Sequence, residues 1–102
     1  MRLAAEQLAT ASGAKLDPRI EGAELADLGE RQRREGLTGA NVTRITPGSR
    51  AATNGLKTGD VIVAVNQVNI RNVKDLNQLI GRHPRQLLLT VVRGGNGFFL
   101  LL

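Results

Sequence analysis

A chain of 102 residues with no Cys, no Trp, no Tyr and only two Phe has room for one domain. At this size folding hides roughly 60–70% of the surface of the unfolded chain, so a modest core is possible without metals or disulfides. The missing cysteines exclude a disulfide framework, a thiolate metal site and a thiol nucleophile, and the single His83 excludes a two-histidine metal site. Aromatic residues, at 2%, are too few for a base-stacking nucleic-acid platform, and the longest apolar run is five residues, far short of a transmembrane helix. No apolar signal-peptide core follows Met1-Arg2.

The net charge of +5 is unevenly spread: +1 over residues 1–16, −2 over 17–35 and +6 over 36–102. A sequence pI near 11.1 permits nucleic-acid binding. Against it, the bases after residue 36 stand singly, and the only dense group, Arg31, Arg33 and Arg34, lies between Glu30 and Glu35. That pattern reads as a solvated loop or helix face.

In chain order, residues 3–12 have the composition for a turn or two of helix but bury little, so residues 1–19 are expected to be a linker or N-terminal tail. Asp17-Pro18 marks a break, because the residue before proline is pushed out of the α region. A short strand is expected over residues 20–28, a polar surface excursion over 29–39 and a strand over 40–45, where Val42, Thr43 and Ile45 favour extended backbone. Pro47-Gly48 turns the chain, and Ser49 caps a short helix over 50–54. Gly55 fits the left-handed position after that helix, with Leu56 folding back on it. Residues 61–65 are apolar and too short for a helix, hence a buried strand.

Asn72 is the N-cap of the best helix, with Asp75 three residues on and Val73, Leu76, Leu79 and Ile80 along one face. Gly81 and Pro84 stop it. Strands over 87–92 and 97–102 flank a hairpin turn at 93–96, which completes a tally of five strands and two helices. His83 lacks any nucleophile motif to serve, the glycines at 94, 95 and 97 open no phosphate-binding helix, and Asp27, Glu30 and Glu35 are too scattered for calcium.

Residues 47–66 read Pro-Gly-Ser-Arg-Ala-Ala-Thr-Asn-Gly-Leu-Lys-Thr-Gly-Asp-Val-Ile-Val-Ala-Val-Asn. This order resembles the PDZ-domain signature. Its spacing has a physical logic: Ala51 and Ala52 let the short helix lie close on a sheet, Leu56 plugs the core, and Asp60 holds a tight turn by bonding backbone amides two residues on. The departure is Gln67, where many PDZ domains have Gly. With Ile20-Glu21-Gly22-Ala23-Glu24-Leu25, residues 72–76 and the ending at 92–101, the chain is similar to the second PDZ domain of HtrA/Deg-type periplasmic serine proteases over about residues 20–102.

The resemblance implies a mainly β, α+β fold. It is a PDZ-like, partly open five-stranded barrel or sandwich with two helices, in the circularly permuted bacterial order, over residues 20–102. It also implies a non-catalytic module of a larger serine endoprotease of protein quality control, located in the periplasm. The expected partners are polypeptide segments or C-terminal peptides of misfolded proteins, and neighbouring protease or PDZ domains of the same oligomer. No cofactor, metal, nucleic acid or membrane insertion is expected. A PDZ domain of a secretion-system scaffold or of a membrane-embedded protease is the alternative.

In a PDZ groove an extended peptide adds as a strand to an open sheet edge, beneath a helix. Mapped here, the carboxylate loop and edge strand are Arg19, Ile20, Glu21, Gly22, Ala23, Glu24 and Leu25, and the groove helix presents Val73, Leu76, Leu79 and Ile80. The amides of Glu21, Gly22 and Ala23 would form the carboxylate nest, and Arg19 would add positive charge. Glu21 would repel a carboxylate and Ala23 would leave the floor shallow, so docking onto neighbouring domains stands beside peptide capture as the alternative role.

Overall fold

Two residues in the left-handed region, Asn66 (φ 50°) and Gln67 (φ 68°), fold the chain back between strands β4 (Val61–Val65) and β5 (Val68–Asn69). Positive φ at both positions makes this a type I′ turn, whose twist matches that of the flanking strands. Asn tolerates it; Gln does so at a steric cost. Replacing Gln67 by Gly should therefore stabilise the domain by about 0.5–1 kcal/mol, read as a higher denaturant midpoint at unchanged slope. A lower midpoint would contradict the strain.

The computed structural model describes residues 10–82 and 85–102. The remaining elements are β1 (Thr10–Ser12), α1 (Gly13–Leu16), a 3-10 turn (Pro18–Ile20), β2 (Ala23–Asp27), α2 (Glu30–Arg34), β3 (Ala40–Ile45), α3 (Arg50–Thr53), α4 (Val73–Ile80), β6 (Leu88–Arg93) and β7 (Asn96–Leu101). Six strands lie in the order β1-β2-β3-β4-β6-β7, all antiparallel, with β5 paired to the end of β4.

The sheet is open, with β1 and β7 as its edges, and it has seven strands where the sequence predicted five. Both additions are short. Thr-Ala-Ser and Val-Asn carry no alternation long enough to register as strands. Residues 10–12 of the segment expected as a tail pair with β2, and residues 13–16 and 18–20 form the short helix and 3-10 turn that lead into it. Of the helix-turn expectation over residues 3–12, residues 10–12 form a strand instead, while residues 3–9 and the readings of His83 and Pro84 lie outside the described residues.

The strands expected at 40–45 and 61–65 form with those bounds. Ser49 caps α3, its hydroxyl accepting from Ala52 N–H (3.2 Å). The helix closes as a Schellman motif: Gly55 N–H donates to Ala52 O and Leu56 N–H to Ala51 O (3.1 and 3.0 Å), with Gly55 at φ 103° and Leu56 buried. Asn72 Oδ1 accepts from Asp75 N–H (2.9 Å), and Asp75 Oδ2 accepts from Arg71 N–H (3.1 Å). α4 thus starts where the sequence places its cap. Its Val73, Leu76 and Ile80 enter a core with Ile20, Leu25, Val42, Ile62 and Leu89.

The arginines of α2 are exposed, and Arg34 pairs with Glu30 at 2.6 Å, so this charge run is a solvated helix face. β7 seals the other end of the sheet, with Phe98, Leu100 and Leu102 packed on the core and Phe99 and Leu101 facing outward. Among the described residues no helix is long and apolar enough to cross a membrane.

Asp60 departs from its expected bonding. It is fully buried and accepts from Lys57 N–H, three residues back (2.9 Å), and from Arg93 Nε and Nη2 (2.6 and 2.7 Å). The turn is thereby tied to β6, because a buried carboxylate needs a cationic partner more than one further amide.

Candidate peptide-binding groove

The loop leading into β2 is shaped by Asp17, which caps the 3-10 turn by accepting from Arg19 N–H (2.8 Å) and also takes Arg19 Nε and Nη2 (2.9 and 2.7 Å). Arg19 Nη1 reaches Arg85 O (3.2 Å). The guanidinium expected to face a ligand carboxylate is engaged with Asp17, and its hydrogen bonds hold the Asp17 carboxyl below the usual carboxylate range. A carboxyl with a lowered folded pKa contributes stability above its unfolded value near 3.9, and that contribution is lost as pH falls through the folded pKa. Melting temperature should therefore drop as pH falls below about 4, and Asp17→Asn should flatten that part of the profile. An unchanged profile in the variant would remove Asp17 from the acid response.

Gly22 turns the loop at φ 96°, and a Cβ there would run into the side chain of Ser49, the α3 cap. The carbonyls of Glu21 and Gly22 accept from Ala51 N–H (2.9 Å) and Thr46 N–H (2.9 Å). In a trans peptide the N–H points opposite to the C=O. The amides of Gly22 and Ala23 consequently face away from α3 and β3, toward the side of β2 on which β1 lies. The Glu21 N–H does not join them, since it donates to Pro18 O (3.2 Å). Two of the three amides expected in the nest share one side. Glu21 is exposed, and Glu24 is exposed 4.0 Å from Arg44.

The groove helix is clamped to β2, which β1 turns from the expected edge strand into an interior one, by Asp27. Asp27 Oδ1, at the end of β2, accepts from Val73 N–H at the start of α4 (2.8 Å). This bond fixes the separation of the two groove walls at one end. Nothing in the sequence marks it, because the partners are 46 residues apart. The residues expected to line the pocket, Ile20, Leu25, Leu76 and Ile80, are each at most 1% exposed and lie in the core together with Ala23 and Val73, while Leu79 is half-buried.

The edge of β2 opposite β3 is paired. β1 runs antiparallel along it, with Thr10 opposite Ala26, Ala11 opposite Leu25 and Ser12 opposite Glu24. A cleft of about 760 Å³ opens around this added strand, bounded by residues 10–12, Lys15, Leu16, 22–25, Thr43 and Thr46 on the β3 side, and Asn77 of α4. Among the described residues no three metal-ligating side chains cluster.

An open antiparallel sheet in which the loop-flanked strand β2 faces a helix defines the class, and the comparisons give the family. A family model for the PDZ domain matches residues 42–93, and the chain belongs to that family. It is 35% identical over 101 residues to a probable periplasmic serine protease do/HhoA-like of Haemophilus influenzae, covering 99% of this chain and 21% of that protein. It is 36% identical over 83 residues to the periplasmic serine endoprotease DegP of Escherichia coli, covering 81% of this chain and 16% of DegP. The chain thus spans about a fifth of the length of these curated relatives. A solved HtrA3 PDZ domain bound to a phage-derived ligand, FGRWV, superposes with a TM-score of 0.65 at 21% identity, over 92% of this chain and 83% of that one. The homologues are serine proteases, and the part matched here is a non-catalytic PDZ domain.

Proposed function

We propose that the chain is the polypeptide-binding PDZ module of an HtrA/Deg-type serine endoprotease of the periplasm. It holds a segment of a misfolded protein as an added strand on β2, beneath α4, while hydrolysis belongs to another part of the protein. The observation that carries this reading is the β2 edge itself. It accepts an antiparallel strand in register, next to a loop that turns the amides of Gly22 and Ala23 to the same side. The names of the relatives and the ligand of the HtrA3 domain support it.

The test is a titration of labelled protein with FGRWV and with a randomised pool of carboxy-terminal pentapeptides, followed by amide shifts. Shifts are expected at residues 22–28 and 73–80, weaker for amidated peptides if the Gly22 and Ala23 amides hold a carboxylate. No shift in either segment at millimolar peptide, in the chain and in variants that displace β1, would end the reading.

A second reading rests on β7. Phe99 and Leu101 are 65% and 67% exposed on a free sheet edge, which suits docking onto a neighbouring domain of the same oligomer. Changing both to Ser should weaken assembly of the longer protease in sedimentation and leave peptide shifts in the groove untouched.

A further inference from the structure

We propose that residues Thr10–Leu16 are a built-in occupant of the peptide groove, a strand in cis that must leave before any polypeptide segment can pair with β2. The inference rests on the reading of the β2–α4 groove given above and adds its regulation. β2 has two edges: β3 takes one and β1 lies on the other opposite Glu24, Leu25 and Ala26, so no ligand strand can pair with the middle of β2 while β1 is in place. β1 also travels in the direction a ligand would, from Thr10 opposite Ala26 to Ser12 opposite Glu24, toward the loop at residues 20–23.

At the loop, where a free carboxylate would end, the chain instead continues into α1. Gly13 is buried there, and a Cβ on it would strike the Ile20 carbonyl and lie 3.0 Å from Ala23 O. The α1 turn closes by Asp17 N–H donating to Gly13 O (2.9 Å), and Ala11 and Leu16 pack against the core. These contacts fit the segment to the mouth of the groove and hide its apolar floor.

The segment is also built to let go. β1 has three residues with small side chains, and Ser12 makes no capping hydrogen bond to α1. Its hold comes mainly from being tethered: the ten residues 13–22 connect it to β2, so it competes at an effective concentration of about a millimolar or more. A weak peptide is excluded and a tight one displaces it. An occupant that leaves the groove free about a tenth of the time weakens apparent affinity about tenfold.

Two changes to the full chain test this, with FGRWV and the pentapeptide pool as probes. Gly13→Val places a side chain against the Ile20 carbonyl and should displace the segment, tightening peptide binding about tenfold. Ser12→Cys with Glu24→Cys puts a single cysteine pair on directly opposed positions of an otherwise cysteine-free chain, at a spacing that antiparallel neighbours share with disulfides. Oxidised, this protein should lose peptide binding, and dithiothreitol should restore it. Equal binding by its oxidised and reduced forms would overturn the proposal, even if Gly13→Val proves too unstable to assay. So would a folded Gly13→Val protein that binds no tighter than the parent. Loss of the groove reading looks different: then neither the reduced pair nor Gly13→Val binds any peptide, and both proposals fall.

Discussion

Leu76→Glu is expected to abolish the cooperative unfolding transition of the domain, whereas Leu76→Ala should keep one at a clearly lower midpoint. Leu76 is fully buried at the centre of the inner face of α4, flanked by Val73 and Ile80. Truncating such a leucine costs about 2–5 kcal/mol, because the transfer energy of the lost methyl groups is joined by that of the cavity left behind. A carboxylate at the same place adds the penalty of an unpaired buried charge, several kcal/mol more. Domains of this size have about 5–15 kcal/mol in total, so the sum reaches the whole of it. Urea titrations followed by circular dichroism read both variants. A Leu76→Glu protein with the parent midpoint would mean that Leu76 lies on open groove surface. Leu76 is therefore a poor position at which to test peptide binding separately from folding. Half-buried Leu79 and exposed Asn77, on the same helix, are better ones.

Asp60→Ala should cost about 3 kcal/mol, at the low end of what breaking a buried ion pair costs. Asp60 is fully buried and collects three hydrogen bonds, from Lys57 N–H and from two nitrogens of Arg93. Arg93 also donates to Gly55 O (2.8 Å) and lies 4.5 Å over the Phe98 ring. One pair thus joins the turn before β4, the end of α3 and the β6–β7 hairpin. The estimate sits low because the Arg93 side chain is 35% exposed and can turn to water when its partner is removed. Arg93→Ala should cost a comparable amount by stranding the Asp60 carboxylate. The double variant should be less destabilised than the two singles added together, since either change alone breaks the same contacts. Additive losses in a denaturant series would show that the two groups act independently.

Much of the fold could be read from local signals. The Asn72 cap, the Ser49 cap, the Gly55-Leu56 closure of α3 and the β-branched run of β4 are specified by residues within a few positions of one another. The family signature is carried by the same short-range grammar. β1 was missed because three small polar-to-neutral residues have no pattern of their own, and only an unfilled sheet edge makes them a strand. Asp27 was missed because its partner, the Val73 amide, is brought near only when the sheet forms. Its place beside the loop makes Arg19 look like a ligand-facing charge, yet Asp17 two residues away takes it.

The absence of cysteine, the few aromatics and the short apolar runs were decided by the sequence alone, and so were the helix caps and the turn chemistry that identify a PDZ domain. What fills the groove was decided by tertiary structure. A strand edge must satisfy its N–H and C=O groups with whatever extended segment lies nearest, and that segment is the chain's own residues 10–12.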